Sequence, residues 1–233
     1  ELMYDWFNEH LSLGHEGPLK EKDFKALTKE EHAVYDDEHP RPEGGDDFER
    51  QLNRWLAEQS DKQLAGKSDD ERNQLVASAW QTIIGLDDPV PPVKAPAAKD
   101  GVVSIVVKPA PDRPQQTPVV ANKRQIPAYT HGYNHSWFAR RAREVFAQIE
   151  AAKKAGHSVK VTADAGAEAI ALAACAACKK GTVESLTLAS DQFRFASITD
   201  WRDPGFIPGA VKYGDVPGLI DAVTWLGTAV EKR

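Results

Sequence analysis

Between residues 136 and 189 the hydrophobic period changes from helical to alternating and back, and few folds accommodate that order. Ser136 stands as a cap before a helical pattern that runs to Lys154, with Gly156 as its stop. Residues 158–162 then alternate as a strand, 163–166 form a tight turn, and an alanine-rich helix continues to about Lys180, ended by Gly181. Residues 183–189 read as a second strand. Helix, strand, turn, helix, strand is the order of a parallel sheet with right-handed crossovers, so the expected fold class is α/β, a short mainly parallel sheet flanked by helices. Beyond a loop holding Pro204, Gly205, Pro208 and Gly209, residues 219–230 read as either helix or strand.

Three zones divide the chain. Residues 1–88 are polar, acidic and helix-patterned, an N-terminal helical arm carrying Trp6, Phe7, Phe24, Phe48, Trp55 and Trp80. Met3, Trp6, Phe7, His10 and Leu11 share one helical face before Gly14. Thr28 and Glu31 have the spacing of a capping box. Asp46 or Asp47 can cap a helix with the stripe Phe48, Leu52, Trp55 and Leu56. A further stripe, Leu75, Val76, Ala79, Trp80 and Ile83, ends at Gly85, and both stripes predict helices that dock by one face. Residues 89–128 form a proline-rich linker (Pro89, Pro91, Pro92, Pro96, Pro109, Pro111, Pro114, Pro118, Pro127) around one strand at 102–107. Residues 129–233 form the α/β module.

Composition removes several function classes. With 29 basic and 35 acidic residues the net charge is −6, and no basic stripe is available to displace counterions from a nucleic acid or to hold an anionic membrane surface. The longest apolar run, 165–178, is interrupted by Glu168 and is shorter than the ~20 residues of a membrane-spanning helix. Two cysteines are too few for a disulfide scaffold. No signal peptide is visible, and the start at Glu1 reads as a processed, excised or partial piece.

The segment Val159-Lys160-Val161-Thr162-Ala163-Asp164-Ala165-Gly166-Ala167-Glu168 carries the most chemistry. A strand turning within three residues into a helix lifts one side chain over the sheet's carboxyl edge, as the G-x-S-x-G elbow does. In that register Asp164 takes the nucleophile's place, Gly166 that of the last glycine, and the Ala165 N–H becomes an oxyanion donor. The plainer reading makes Asp164 the cap of the following helix. Asp191, just past the second strand, is the candidate acid. A triad also needs a histidine, and none follows His157, which itself precedes the elbow.

Other motifs carry less. His131 and His135 have i, i+4 spacing but fall in the loop before the Ser136 cap with no third ligand, so loop hydrogen bonding is expected and no metal. Cys175 and Cys178 make a C-x-x-C late in a helix, where the dipole opposes thiolate formation, and close helix packing explains them equally well. Gly166 is not part of a G-x-G-x-x-G or P-loop pattern, and no cofactor is expected. The charged runs at 21–25, 29–32 and 69–72 read as solvated helix faces.

Longer word-like segments add a family. Tyr129-Thr130-His131-Gly132-Tyr133-Asn134-His135-Ser136-Trp137-Phe138-Ala139-Arg140-Arg141 resembles the segment that opens the helix before the elbow in acetyl-xylan-esterase-like α/β-hydrolases. Phe193-Arg194-Phe195 and the stretch from Asp203-Pro204-Gly205-Phe206 through Tyr213-Gly214-Asp215 resemble that family's loop after the sixth strand. Met3 to Leu11 and Asp36-Asp37-Glu38-His39-Pro40 resemble elements beside the second, degenerate half of large two-half members. The resemblance covers about half the chain and implies an α/β-hydrolase-type sheet, acylated carbohydrate as substrate, and a periplasmic or extracellular setting. The elbow Asp164 in place of Ser and the missing downstream His depart from it. Together these features predict a non-catalytic hydrolase-like module. It would be the structural or docking half for a catalytic hydrolase domain or a second copy, binding through the aromatic arm and the elbow edge. The alternative is a carbohydrate-ester hydrolase whose site is completed by a partner or by further sequence.

Overall fold

The alternation V-V-S-I-V-V, S-V-K-V-T-A and S-L-T-L gives three strands one apolar and one polar face each. The computed structural model, which describes residues 2–20, 23–41, 43, 45–109, 114, 116–121, 124 and 126–233, pairs them accordingly. Strands β1 (Val102–Val107), β2 (Ser158–Ala163), β3 (Ser185–Leu188) and β4 (Ala229–Lys232) form an all-parallel sheet in chain order β1-β2-β3-β4. Val107, Ala163 and Leu188 align across it, as do Ile105, Val161 and Leu186, and all six are buried.

Helix α5 (Trp137–Lys154) packs on β1 and β2, α6 (Glu168–Ala176) on β1 to β3, and α7 (Asp215–Trp225) on β4, with α6 between α5 and α7. Crossovers of one hand that step the same way along a sheet place their helices on the same face. The other face carries Ser104, Val106, Lys160, Thr162 and Thr187 and stays partly or fully exposed, Val106 at 52%. There Ser158 Oγ donates to Glu184 at 2.6 Å and Lys160 pairs with Glu184 at 3.1 Å. Parallel sheets are usually covered on both faces and read as continuous apolar runs. The alternation in these strands is the sequence mark of the exception.

The chain divides into two compact units, Glu1–Gln51 and Leu52–Arg233, so the division precedes the expected one at residue 88. The reason is α3 (Asp69–Ile83): it buries Val76, Ala77 and Trp80 and packs on α6 and α7. Trp80 is fully buried, with ring centroids 5.7 Å from Phe195 and 6.4 Å from Phe138. Ser68 caps α3 in a capping box with Glu71, inside a region read as a solvated charge run. The buried Arg143 closes the other end, donating to the carbonyls of Gly85, Asp88 and Pro89. Gly85 has φ +78°, and a Cβ there would lie 2.2 Å from His135 Cε1, so only glycine fits.

In the first unit, α1 (Leu2–His10) stacks Trp6 on His10 at 4.2 Å. Thr28 and Glu31 exchange the expected bonds at 2.8 and 3.3 Å, yet a turn follows and no helix. Helix α2 (Phe48–Ala65) spans the division between the units and has no buried residue. A 3₁₀ turn at Gly45–Asp47 precedes it, and Asp47 accepts from Arg50. Pro111, two members of the 21–25 charge run (Glu21 and Lys22) and the Asp46 side chain lie outside the described residues.

Several bounds shift from expectation: β2 runs one residue past Thr162, and β3 keeps only Ser185–Leu188 of the expected 183–189. Helix α6 stops at Ala176, short of Lys180, and the pair that would close a turn from Ala177 to Gly181 bonds elsewhere. The Ala177 carbonyl accepts from Gln81 Nε2 at 3.1 Å, and the Gly181 N–H donates to Leu226 O at 2.8 Å. The helix-or-strand stretch is both, α7 followed by β4. The linker strand and helix α5 with its Ser136 cap match their expected bounds.

Candidate functional site

The β2–α6 junction forms at the carboxyl edge of the sheet, as the strand–turn–helix pattern requires. Four residues, 164–167, separate strand and helix, the expected turn displaced by one position. The Asp164 N–H donates to Val107 O at 2.9 Å, tying the junction to the end of β1. The Ala167 N–H then donates to Asp164 O at 3.0 Å, and Gly166 between them has φ +84°. That is the pattern of a type II turn, with glycine where φ must be positive. Asp164 itself lies outside the positive-φ region, so the strain that marks a nucleophile elbow is not placed on the apex residue.

Asp164 does not cap the helix. The cap position is Ala167, without a side-chain bond, and Glu168 Oε2 instead accepts from the Gly166 N–H at 2.7 Å. A carboxylate in the first turn suits the positive end of the helix, and this one does so from inside the protein, at 7% exposure. The partly buried Asp164 carboxylate has no hydrogen bond or ion pair among the described residues, and the exposed Ala165 N–H likewise has no partner there.

Asp191 lies in the loop after β3, at the same edge of the sheet. Its carboxylate pairs with Lys232 Nζ on β4 and accepts from Gln192 Nε2 at 3.2 Å. The Lys232 ammonium, by hydrogen bond and by charge, holds this acid below the usual carboxylate range. No hydrogen bond or ion pair joins a histidine to Asp164, Glu168 or Asp191 among the described residues. His157 sits just before β2, at the opposite edge.

His131 and His135 have separate partners. His131 closes a short helix, α4 (Ala128–His131), rather than lying in a loop. Its Nε2 bonds Trp201 O at 3.3 Å, which requires a proton on that nitrogen, and its buried Nδ1 has no partner among the described residues. His135 Nε2 pairs with Asp88 at 2.9 Å. Among the described residues no group of three or more potential metal ligands occurs. Both cysteines are buried thiols: burial pushes Cys175 up to about 12 and Cys178 well above its ordinary value, and Cys178 Sγ donates to Ala174 O.

What the sequence did not single out is a cleft beside the junction. Pro109, Trp137, Phe138, Glu168, Ile170 and Phe193 line a space of about 100 Å³ where β1 ends and α5 and α6 begin. Phe195 holds two of its walls, with T-shaped contacts to Phe138 at 5.3 Å and Phe193 at 5.0 Å. The Asp215 carboxylate in turn accepts from the Phe195 and Ala196 N–H groups at 2.9 and 3.0 Å. The one signal in the sequence was Glu168, a lone acid opening a helix of alanine, isoleucine, leucine and cysteine.

Set against family models, curated proteins and solved structures, the chain has no match.

Proposed function

We propose that this chain is an α/β module of hydrolase type without a catalytic apparatus of its own. It serves as the structural or docking half for a catalytic hydrolase domain, in an enzyme of the acetyl-xylan-esterase-like kind that acts on acylated carbohydrate. One observation carries the reading. A carboxylate stands where a nucleophile would, at the end of β2, while the only candidate acid is committed to Lys232 and no imidazole is bonded to either. An acyl-transfer nucleophile needs an oriented base, and Asp164 has none. Two further features support it. The segments that resemble the family, 193–195 and 203–215, are joined through Asp215. The exposed Trp6, Phe24, Phe48 and Trp55 supply apolar surface suited to a partner.

The purified chain is expected to leave 4-nitrophenyl acetate hydrolysis at the buffer rate, with no change in Asp164→Ala. Turnover that disappears in Asp164→Ala would overturn the proposal. The unpartnered Asp164 carboxylate and Ala165 N–H favour a second reading, a carbohydrate-ester hydrolase completed by a partner. That reading predicts activity lost in Asp164→Ala only when the partner domain is present.

A further inference from the structure

We propose that the cleft lined by Trp137, Phe138, Phe193 and Glu168 binds a methylated ammonium head group carried on a small organic molecule. Among the described residues three aromatic side chains and one acid line the space, and no lysine or arginine does. Arg194, next to the Phe193 wall, is bonded to the carbonyls of Asp191 and Phe193. One Glu168 oxygen is held by the Gly166 N–H, and the other makes no hydrogen bond among the described residues.

Alternatives fail on charge and chemistry. The α6 N-terminus offers an anion about +0.5 of a charge, against the full carboxylate of Glu168 in the cleft. A neutral apolar ligand would strip water from the free Glu168 oxygen and return no partner. A metal ion or primary ammonium requires several acceptors, and the lining supplies one carboxylate among apolar groups. A methylated ammonium has an apolar surface and a diffuse charge with no N–H to satisfy. Aromatic faces and a single carboxylate are what such a cation is held by. By comparison with an apolar cavity of about 150 Å³ that admits benzene, this space suits a head group of about four or five heavy atoms. The inference uses neither Asp164 nor the hydrolase reading, so either can fail without the other.

Calorimetric titration of the intact chain with tetramethylammonium, choline and the neutral isostere 3,3-dimethylbutan-1-ol tests it. Saturable binding of both cations is expected, with the isostere at least about tenfold weaker. Glu168→Gln keeps an oxygen for the Gly166 N–H and removes the charge; it should weaken the cations about tenfold and leave the isostere unchanged. Phe193→Ala, at a wall residue 38% exposed and so tolerant of truncation, should weaken them about threefold or more. It decides the matter if Glu168→Gln does not fold. Equal affinity for cation and isostere, no saturable binding of either cation, or unchanged affinity in the folded variants would each overturn the assignment.

Discussion

Helices α2 and α6 carry opposite outcomes of one rule. The first has 18 residues, a stripe of Phe48, Leu52, Trp55 and Leu56, and no buried side chain. The second has nine residues, no aromatic side chain, and every residue buried, including Glu168. Large apolar side chains on one face make a helix able to dock, whereas small ones all round let it sink between neighbours. Five alanines and a cysteine allow α6 to lie on the sheet with α5 and α7 on either side. Burial in this chain follows the fit available to a side chain more than its size.

Three substitutions break or sharpen that contrast. The largest effect is expected from Trp80→Ala, which opens the core where α3 meets Phe138 and Phe195. A loss of about 3–5 kcal/mol is expected from urea unfolding followed by far-ultraviolet circular dichroism. A loss under about 1 kcal/mol would return α3 to the exposed class with α2. Next comes Ser68→Ala, which removes the reciprocal bonds with Glu71 and should cost about 1 kcal/mol by the same measurement. No change would mean that packing alone positions α3. The smallest effect belongs to Trp55→Ala, 54% exposed, expected within about 0.5 kcal/mol. A larger loss that grows with protein concentration would show the α2 stripe covered by a second copy.

The sequence made local elements legible wherever one signal acted alone. Helix α5 has its cap, stripe and glycine stop in the expected places, and β1 its bounds, since neither end is contested by a distant partner. Local chemistry misled where tertiary structure decides. The Thr28–Glu31 box forms its bonds without a helix, while Ser68–Glu71, among more charge, caps a real one because Val76 and Trp80 have a core to enter. Just past the end of α6, the Ala177 carbonyl accepts from Gln81, nearly a hundred positions away, which no local pattern announces. At the junction, the spacing located the edge of the sheet but assigned the capping carboxylate to Asp164 rather than Glu168. A buried acid four residues further on has no periodic signature. The cleft was beyond pattern reading altogether, since its walls come from five separate stretches of chain.

The strand order has a consequence for how such a fold can change in length. Because β1 to β4 lie side by side in the order in which they are translated, and β4 pairs with β3 alone among the described residues, a strand added beyond β4 would meet an open ladder. Nothing already paired would have to separate. The sheet can therefore be lengthened by duplication in the way that a row of tiles is extended.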